Sequence, residues 1–168
     1  MHIYRKAAET DFAGIKELYK KTAEQKNGIS RTPEEITDDF ISKVLYDSLK
    51  TGLIMVSETD GIITGAVNAL RFEQECFSHV LSDLTFVIHP YHQGKGAGKA
   101  LFGTFLQEID EKMPEITRIE LFVRDNNKKA QRLYKSFGFE KEGLLKHRIK
   151  NADGIPEADV IMARVTAP

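Results

Sequence analysis

A mixed α/β sheet is the fold class this sequence predicts, and three observations predict it. Strand-like segments outnumber helical ones early, where "GLIMVSETDGIITGAVNALRF" reads as a hairpin turning at Asp60-Gly61. From about His79 onward, strand and helix patterns alternate: a strand ending in "LTFVI", a helix after a glycine-rich loop, the strand "ITRIELFV", then a second helix. The chain closes on two strand-like stretches, "FEKEGLLKHRIK" and "PEADVIMARV", joined across "NADG".

The elements follow in order. Residues 2–6 form a short first strand. Phe12, Ile15, Leu18 and Tyr19 recur at helical spacing, with Thr10 or Asp11 as the cap. "RTPEEITDDFISKVLYDSL" predicts a helix capped by Thr32, with Pro33 at its first position and Glu35 closing a capping box. Ile36, Phe40, Val44 and Leu45 supply its buried stripe. After the hairpin and the strand from His79 to Ile88, Leu101, Phe105, Leu106 and Ile109 mark a helix that ends near Pro114. "NNKKAQRLYKSFG" is a short helix closed by Gly138.

Bulk properties bound the function. A chain of 168 residues suits one domain, spanning 1–168. With 24 basic and 25 acidic side chains the formal net charge is −1, which gives no support to a nucleic-acid binder held by bulk charge. The single cysteine, Cys76, cannot form an internal disulfide and favours a reducing compartment. No stretch has the apolar core of a signal peptide or the roughly 18 apolar residues of a membrane span. The expected location is cytoplasmic, with no membrane partner. His79, His89, His92 and His147 form no helix-spaced ligand pair, so no metal site is expected.

The chemistry concentrates in "HPYHQGKGAGKALF", where three glycines in five residues stand between strand and helix. Such a turn leaves backbone N–H groups pointing outward at the positive end of a helix dipole, and absent Cβ atoms let a bulky anion approach. A phosphate or pyrophosphate is the expected guest; a tight turn without ligand is the plainer reading. A Walker loop fails, because Gln93 stands where its first glycine belongs and Ala100 where its hydroxyl belongs. A dinucleotide fingerprint fails as well, on Lys99 or on Leu101 according to register.

The pattern that remains is Gln-x-x-Gly-x-Gly at Gln93, Gly96 and Gly98. Here the sequence resembles the GNAT superfamily of N-acetyltransferases, whose signature loop follows the fourth strand. A second match lies downstream, where Asn127, Ala130, Leu133, Tyr134, Gly138 and Phe139 reproduce the family's Asn-x-x-Ala-x-x-Leu-Tyr-x-x-x-Gly-Phe helix. The opening "IYRKAAETDFAGIKELY" is similar to the family's first strand and helix, so the resemblance covers nearly the whole chain. It implies a largely antiparallel seven-stranded sheet flanked by about four helices and splayed between strands 4 and 5.

The resemblance implies acetyl-CoA as co-substrate in that splay. Phe86, Val87 and Ile88 would pair with the pantetheine arm, and Gln93, Gly94, Lys95, Gly96, Ala97, Gly98 and Lys99 would hold the pyrophosphate. Asn127 would bond the arm, or simply cap its helix. Tyr134 would donate a proton to the leaving thiolate as general acid, and an N–H near Val87 or Ile88 would serve the oxyanion. Periodicity alone places Tyr134 on an apolar stripe with Ala130, Leu133 and Phe137; the motif match assigns it the acid role. The position used for a glutamate base by some members is Phe122 here. Asp83 and Glu120 remain as carboxylate candidates, with water relays a third route.

The expected reaction is direct acetyl transfer to a primary amine of a small molecule or amino acid. A protein or peptide N-terminal acetyltransferase and a non-catalytic acetyl-CoA-binding module are the alternatives. The acceptor is expected near residues 20–40, 70–80 and 145–156, whose mixed charges include Lys26, Arg31, Glu34, Glu35, Glu73 and Glu75. The resemblance also admits a homodimer formed through the C-terminal strands.

Overall fold

The computed structural model describes residues 2–26 and 28–166. Seven strands form one sheet: β1 (His2–Lys6), β2 (Leu53–Thr59), β3 (Ile62–Arg71), β4 (Val80–Ile88), β5 (Arg118–Arg124), β6 (Glu140–Lys150) and β7 (Pro156–Val165). Their order across the sheet is β1-β2-β3-β4-β5-β7-β6. Every neighbouring pair is antiparallel except β4 and β5. The β2–β3 connection turns as expected, with Asp60 at φ 51° and Gly61 at φ 80°, the left-handed pair that a two-residue Asp-Gly hairpin uses.

Helices cover both faces. On one side lie α1 (Phe12–Ala23), α2 (Asp38–Ser42) and α3 (Ser48–Thr51), the last two joined by a single π-helical stretch at Lys43–Asp47. Ile15, Leu18, Ile41 and Leu45 from these helices bury against Ile54, Val56, Ala66 and Val87 of the sheet. On the other side lie α4 (Ala97–Lys112) and α5 (Lys128–Ser136). Leu101, Phe102, Phe105 and Ile109 of α4 pack there with Val67, Leu81, Ile119, Leu121 and Met162. The apolar stripes read from the sequence are the faces buried.

The first helix starts as expected, with Asp11 at its N-cap, and the second does not. The Thr32 signal produces only a 3-10 turn, Pro33–Glu35, in which Glu35 accepts from the Thr32 amide at 2.7 Å. Ile36 leaves helical geometry at ψ 71°, and α2 begins at Asp38 with Thr37 as its cap, accepting from the Phe40 amide at 3.2 Å. Two Thr-x-x pairs compete within six residues, and the second sits next to the buried Ile41. At α1, the Asp11 carboxylate accepts from Ala8 N–H at 2.8 Å and from both terminal nitrogens of Arg5 at 2.7 and 2.9 Å, so it ties β1 to the helix entry. The Arg5 hydrogen bonds hold Asp11 below the usual carboxylate range, against desolvation.

The feature that positions the site is a fork. β4 and β5 pair only at Val80↔Arg118 and Leu81↔Ile119. Immediately beyond, Ser82 opposes Leu70 and Thr85 opposes Asn68, so Asp83 and Leu84 together face Ala69. This is a β-bulge with Asp83 at φ 51°, and a bulge bends the strand that carries it. β4 keeps pairing with β3 through Ile88 while parting from β5.

Candidate active site

At the open end of the fork, β4 runs into the glycine loop. Gly94 and Gly96 have φ 76° and 84°, and a Cβ built on either meets nothing within 4 Å. Open space and left-handed backbone both suit glycine here. Gly98 lies differently: a Cβ there would stand 3.3 Å from the Phe86 and Ile88 side chains, so its absence lets α4 approach β4. The first backbone bond of α4 runs from Ala100 N–H to the Gly96 carbonyl, and the amides of residues 94–99 donate to no backbone carbonyl among the described residues. Six consecutive free donors at a helix N-terminus form an anion cradle. Gln93 braces it, donating from Nε2 to the Ile88 carbonyl at 3.0 Å and to Gln25 Oε1 at 3.1 Å.

Lys95 and Lys99 are both exposed beside this loop. His92 lies behind it in a histidine group, 5.8 Å from His89 and 6.2 Å from His2 by ring centroids. Burial lowers the His92 pKa, and His89, Lys95 and His2 reinforce the shift. Among the described residues, no group of His, Cys, Asp or Glu is placed to hold a metal ion.

Tyr134 lies on α5, across the fork's helical side. Its ring packs on Phe102 at 5.3 Å and Phe139 at 5.9 Å, and only 7% of the residue is exposed. Its hydroxyl has no hydrogen-bond partner among the described residues, yet no fully buried side-chain oxygen there lacks one. The ring is core, therefore, while the oxygen reaches accessible space. Burial pushes the phenol above its usual pKa, so it stays protonated throughout the physiological range. Asn127 is the cap of α5, accepting from the Ala130 amide at 3.0 Å; Gly138, at φ 85°, ends the helix.

The two candidate carboxylates are in unlike places. Asp83 is exposed on the bulge. Glu120 stands where the strands part, accepting from Ser82 Oγ and from Arg118 Nε, each at 2.9 Å. Arg118 also holds Glu142 at 2.9 and 2.6 Å, which fixes its charge beside Glu120.

A cavity of about 410 Å³ lies beside the open end of the fork, between the loop that follows α1 and the β6–β7 turn. It includes residues 23–26, 29–33, Glu35, Arg124 and 149–152. Two of the three segments expected around the acceptor meet here; residues 70–80 do not line it. Sequence marks out neither Arg124 nor Gln25, since strand ends and loop polars carry no local mark of a shared cavity. The Gln25–Gln93 bond joins cavity and cradle directly.

A splayed parallel pair, a run of free amides at a helix N-terminus and a buried phenol ring with an unpartnered hydroxyl are, among the described residues, the features of this site. Residues 9–139 match the family model described as acetyltransferase (GNAT) family, and the chain belongs to that family of acetyltransferases. The chain is 28% identical over 136 residues to the L-amino acid N-acyltransferase MnaT of Escherichia coli, covering 80% of this chain and 77% of that protein. A 60-residue match at 40% identity to a probable spermine N(1)-acetyltransferase of Bacillus subtilis subsp. natto covers 36% of this chain and 39% of that one. Among solved structures, the yncA protein of Salmonella typhimurium, determined with its cofactor acetyl-CoA, superposes with TM-score 0.83 at 21% identity, covering 98% and 93% of the two chains. A ribosomal-protein-alanine N-acetyltransferase from Brucella melitensis gives TM-score 0.85 at 21% identity, covering 98% and 99%.

Proposed function

We propose that the protein binds acetyl-CoA in the fork and transfers its acetyl group directly to a primary amine of a small molecule. The observation that carries this reading is the run of six free amides at residues 94–99 beside an opened strand pair. The pyrophosphate rests on those amides, with Lys95 and Lys99 adding positive charge. Phe86, Val87 and Ile88 offer the fork-side backbone groups of β4 to the pantetheine amides, and Asn127 keeps its capping role. Bound there, the thioester supplies the activated acetyl group.

The chain's own residues do the rest. An N–H near Val87 or Ile88 takes the charge that grows on the carbonyl oxygen. The Tyr134 hydroxyl, protonated and reaching accessible space, gives its proton to the departing sulfur. The amine must lose a proton first. Of the two carboxylates, Glu120 stands at the neck of the fork with Ser82 and Arg118 on its oxygens, and it orients a water that carries the proton out. Asp83, exposed on the bulge, is the alternative exit. The cavity of about 410 Å³, within the usual size range for small-ligand sites of roughly 300–1,000 Å³, receives the acceptor.

Initial-rate kinetics with varied acetyl-CoA and amine test this. Intersecting double-reciprocal lines and an acetylated amine in the mass spectrum are expected. Parallel lines, or an acetylated protein intermediate, would overturn direct transfer.

A further inference from the structure

The sequence places mixed charges around the acceptor region, and the structure sorts them. Four cations (Lys26, Arg31, Arg124 and Lys150) and two carboxylates (Glu24 and Glu35) line the cavity. Both carboxylates are committed within the protein. Glu24 pairs with Lys21 at 3.4 Å, and Glu35 turns back to the Thr32 amide at 2.7 Å. Two of the cations are committed as well, Lys26 to Asp153 at 2.9 Å and Arg124 to Glu157 at 3.5 Å.

Arg31 and Lys150 have no carboxylate partner among the described residues. Arg31 instead lies over the Phe40 ring, 3.9 Å from its centroid. That contact fixes one face of the guanidinium while leaving its edge donors free, as planar recognition of a carboxylate requires. Lys150 reaches the cavity from the opposite wall, at the end of β6. The same cavity has apolar lining in Ile29, Pro33 and Ile149, alongside the polar Ser30, Thr32 and Asn151. An extended polycation would meet two uncompensated positive charges here and find no free carboxylate.

We propose that Arg31 and Lys150 determine acceptor specificity, and that the acceptor is an amine that also carries a carboxylate, as an α-amino acid does, rather than a polyamine. The inference rests on the reading of this cavity as the acceptor site. The carboxylate sits between the two cations, an apolar side chain lies along Ile29 and Ile149, and the amine is left to enter the fork beside Gln25 and Gln93.

The test uses acceptors that differ only in the carboxylate. With saturating acetyl-CoA, thiol release is measured for leucine against leucinamide, methionine against methioninamide, and spermidine. The free acids are expected to exceed their amides by roughly tenfold or more in kcat/KM, the effect of losing a charge-assisted bond, although the amides hold the more readily deprotonated amines. Arg31→Ala should raise KM for the acids by about tenfold and leave the amides unchanged, Arg31→Lys should restore part of the difference, and Lys150→Ala should act in the same direction. An unaltered circular dichroism spectrum and acetyl-CoA affinity in each variant separate recognition from folding. Amides or spermidine used as well as the acids, or an Arg31→Ala variant with unchanged KM for the acids, would overturn this proposal and leave acetyl transfer standing. No thiol release with any amine would overturn both.

Discussion

Two buried tyrosines, one on each face of the sheet, set a closed polar chain against a hydroxyl unpartnered among the described residues. Tyr19 on α1 is 1% exposed, and its hydroxyl donates to Asn68 Oδ1 at 3.4 Å. Asn68 in turn donates to the buried Ser48 hydroxyl at 3.1 Å, so the polar chain is closed within the core. Tyr134 on α5 is 7% exposed, and no group among the described residues takes its hydroxyl hydrogen. Burial raises the pKa of both phenols. Burial and titration therefore do not distinguish them; the fate of one hydrogen does. A satisfied hydroxyl stabilises the fold, while an unsatisfied one at the cleft is available to a substrate.

The largest expected effect follows at once. Tyr134→Phe should lower kcat by roughly 10²-fold or more and leave acetyl-CoA affinity nearly unchanged. Stability should barely move, because no hydrogen bond is lost. The loss should shrink with thioesters of more acidic thiols, whose thiolates need less protonation. Because burial holds the phenol protonated above its usual range, no alkaline limb from Tyr134 should appear in kcat below pH 10 or so. Normal turnover in this variant would erase the distinction between the two tyrosines.

The cradle can be tested with a matched pair. Gly96 and Gly61 have φ 84° and 80° and equal room for a Cβ, but only Gly96 lies in the anion loop. Leucine at either position pays the same left-handed strain, on the order of 1–2 kcal/mol. Calorimetric titration should show acetyl-CoA affinity weakened by about tenfold or more in Gly96→Leu alone. Equal affinities in the two variants would remove the pyrophosphate from this loop.

On the Tyr19 side the effects should fall on stability. Asp11→Asn breaks a charge-assisted pair with Arg5 and should cost about 1–3 kcal/mol in denaturant unfolding near neutral pH. Since the folded Asp11 pKa is lowered, its contribution is fully present above the ordinary aspartate value, about 3.9, and is lost as pH falls through the folded value. The gap between wild type and Asp11→Asn should therefore be constant near neutrality and close below about pH 4. A gap that persists unchanged to lower pH would contradict the pairing. The smallest effect is expected for Tyr19→Phe, about 1 kcal/mol of stability or less with kcat unchanged. A substantial fall in kcat would show that the buried Tyr19–Asn68–Ser48 chain also serves the fork.

Much of this was legible in the residues. The strand order in sequence, the Asp60-Gly61 turn and the buried stripes follow from short-range periodicity and turn chemistry, and they appear as read. The cradle was legible because glycine density reports local backbone needs. The start of α2 was not, because two capping signals stand five residues apart and tertiary burial of Ile41 chooses between them. The bulge at Asp83 was hidden too, since nothing local marks an aspartate that must adopt φ 51°. Strand alternation lets Glu120 face either solvent or the cleft, and only the cross-strand Ser82 and the Arg118–Glu142 bridge place it at the neck. Arg124 and Gln25 come together from segments about a hundred residues apart, beyond the reach of any local pattern.

The fork gives the sheet an interior edge. Beyond Leu81, β4 is paired on its β3 side alone, so half of its backbone groups have no strand neighbour. A ligand lying there completes hydrogen bonding that the polypeptide leaves open, and it binds the folded chain only. Thermal stability then becomes a gauge of thioester supply: at a hundred times Kd the native state gains about 2.7 kcal/mol. Amide hydrogen exchange in β4 from Thr85 to Ile88 should slow as acetyl-CoA is added, while β1 and β2 at the far edge keep their rates. With acetyl-CoA as that ligand, the proposed cosubstrate, its removal would leave the folded chain easier to unfold and quicker to be degraded.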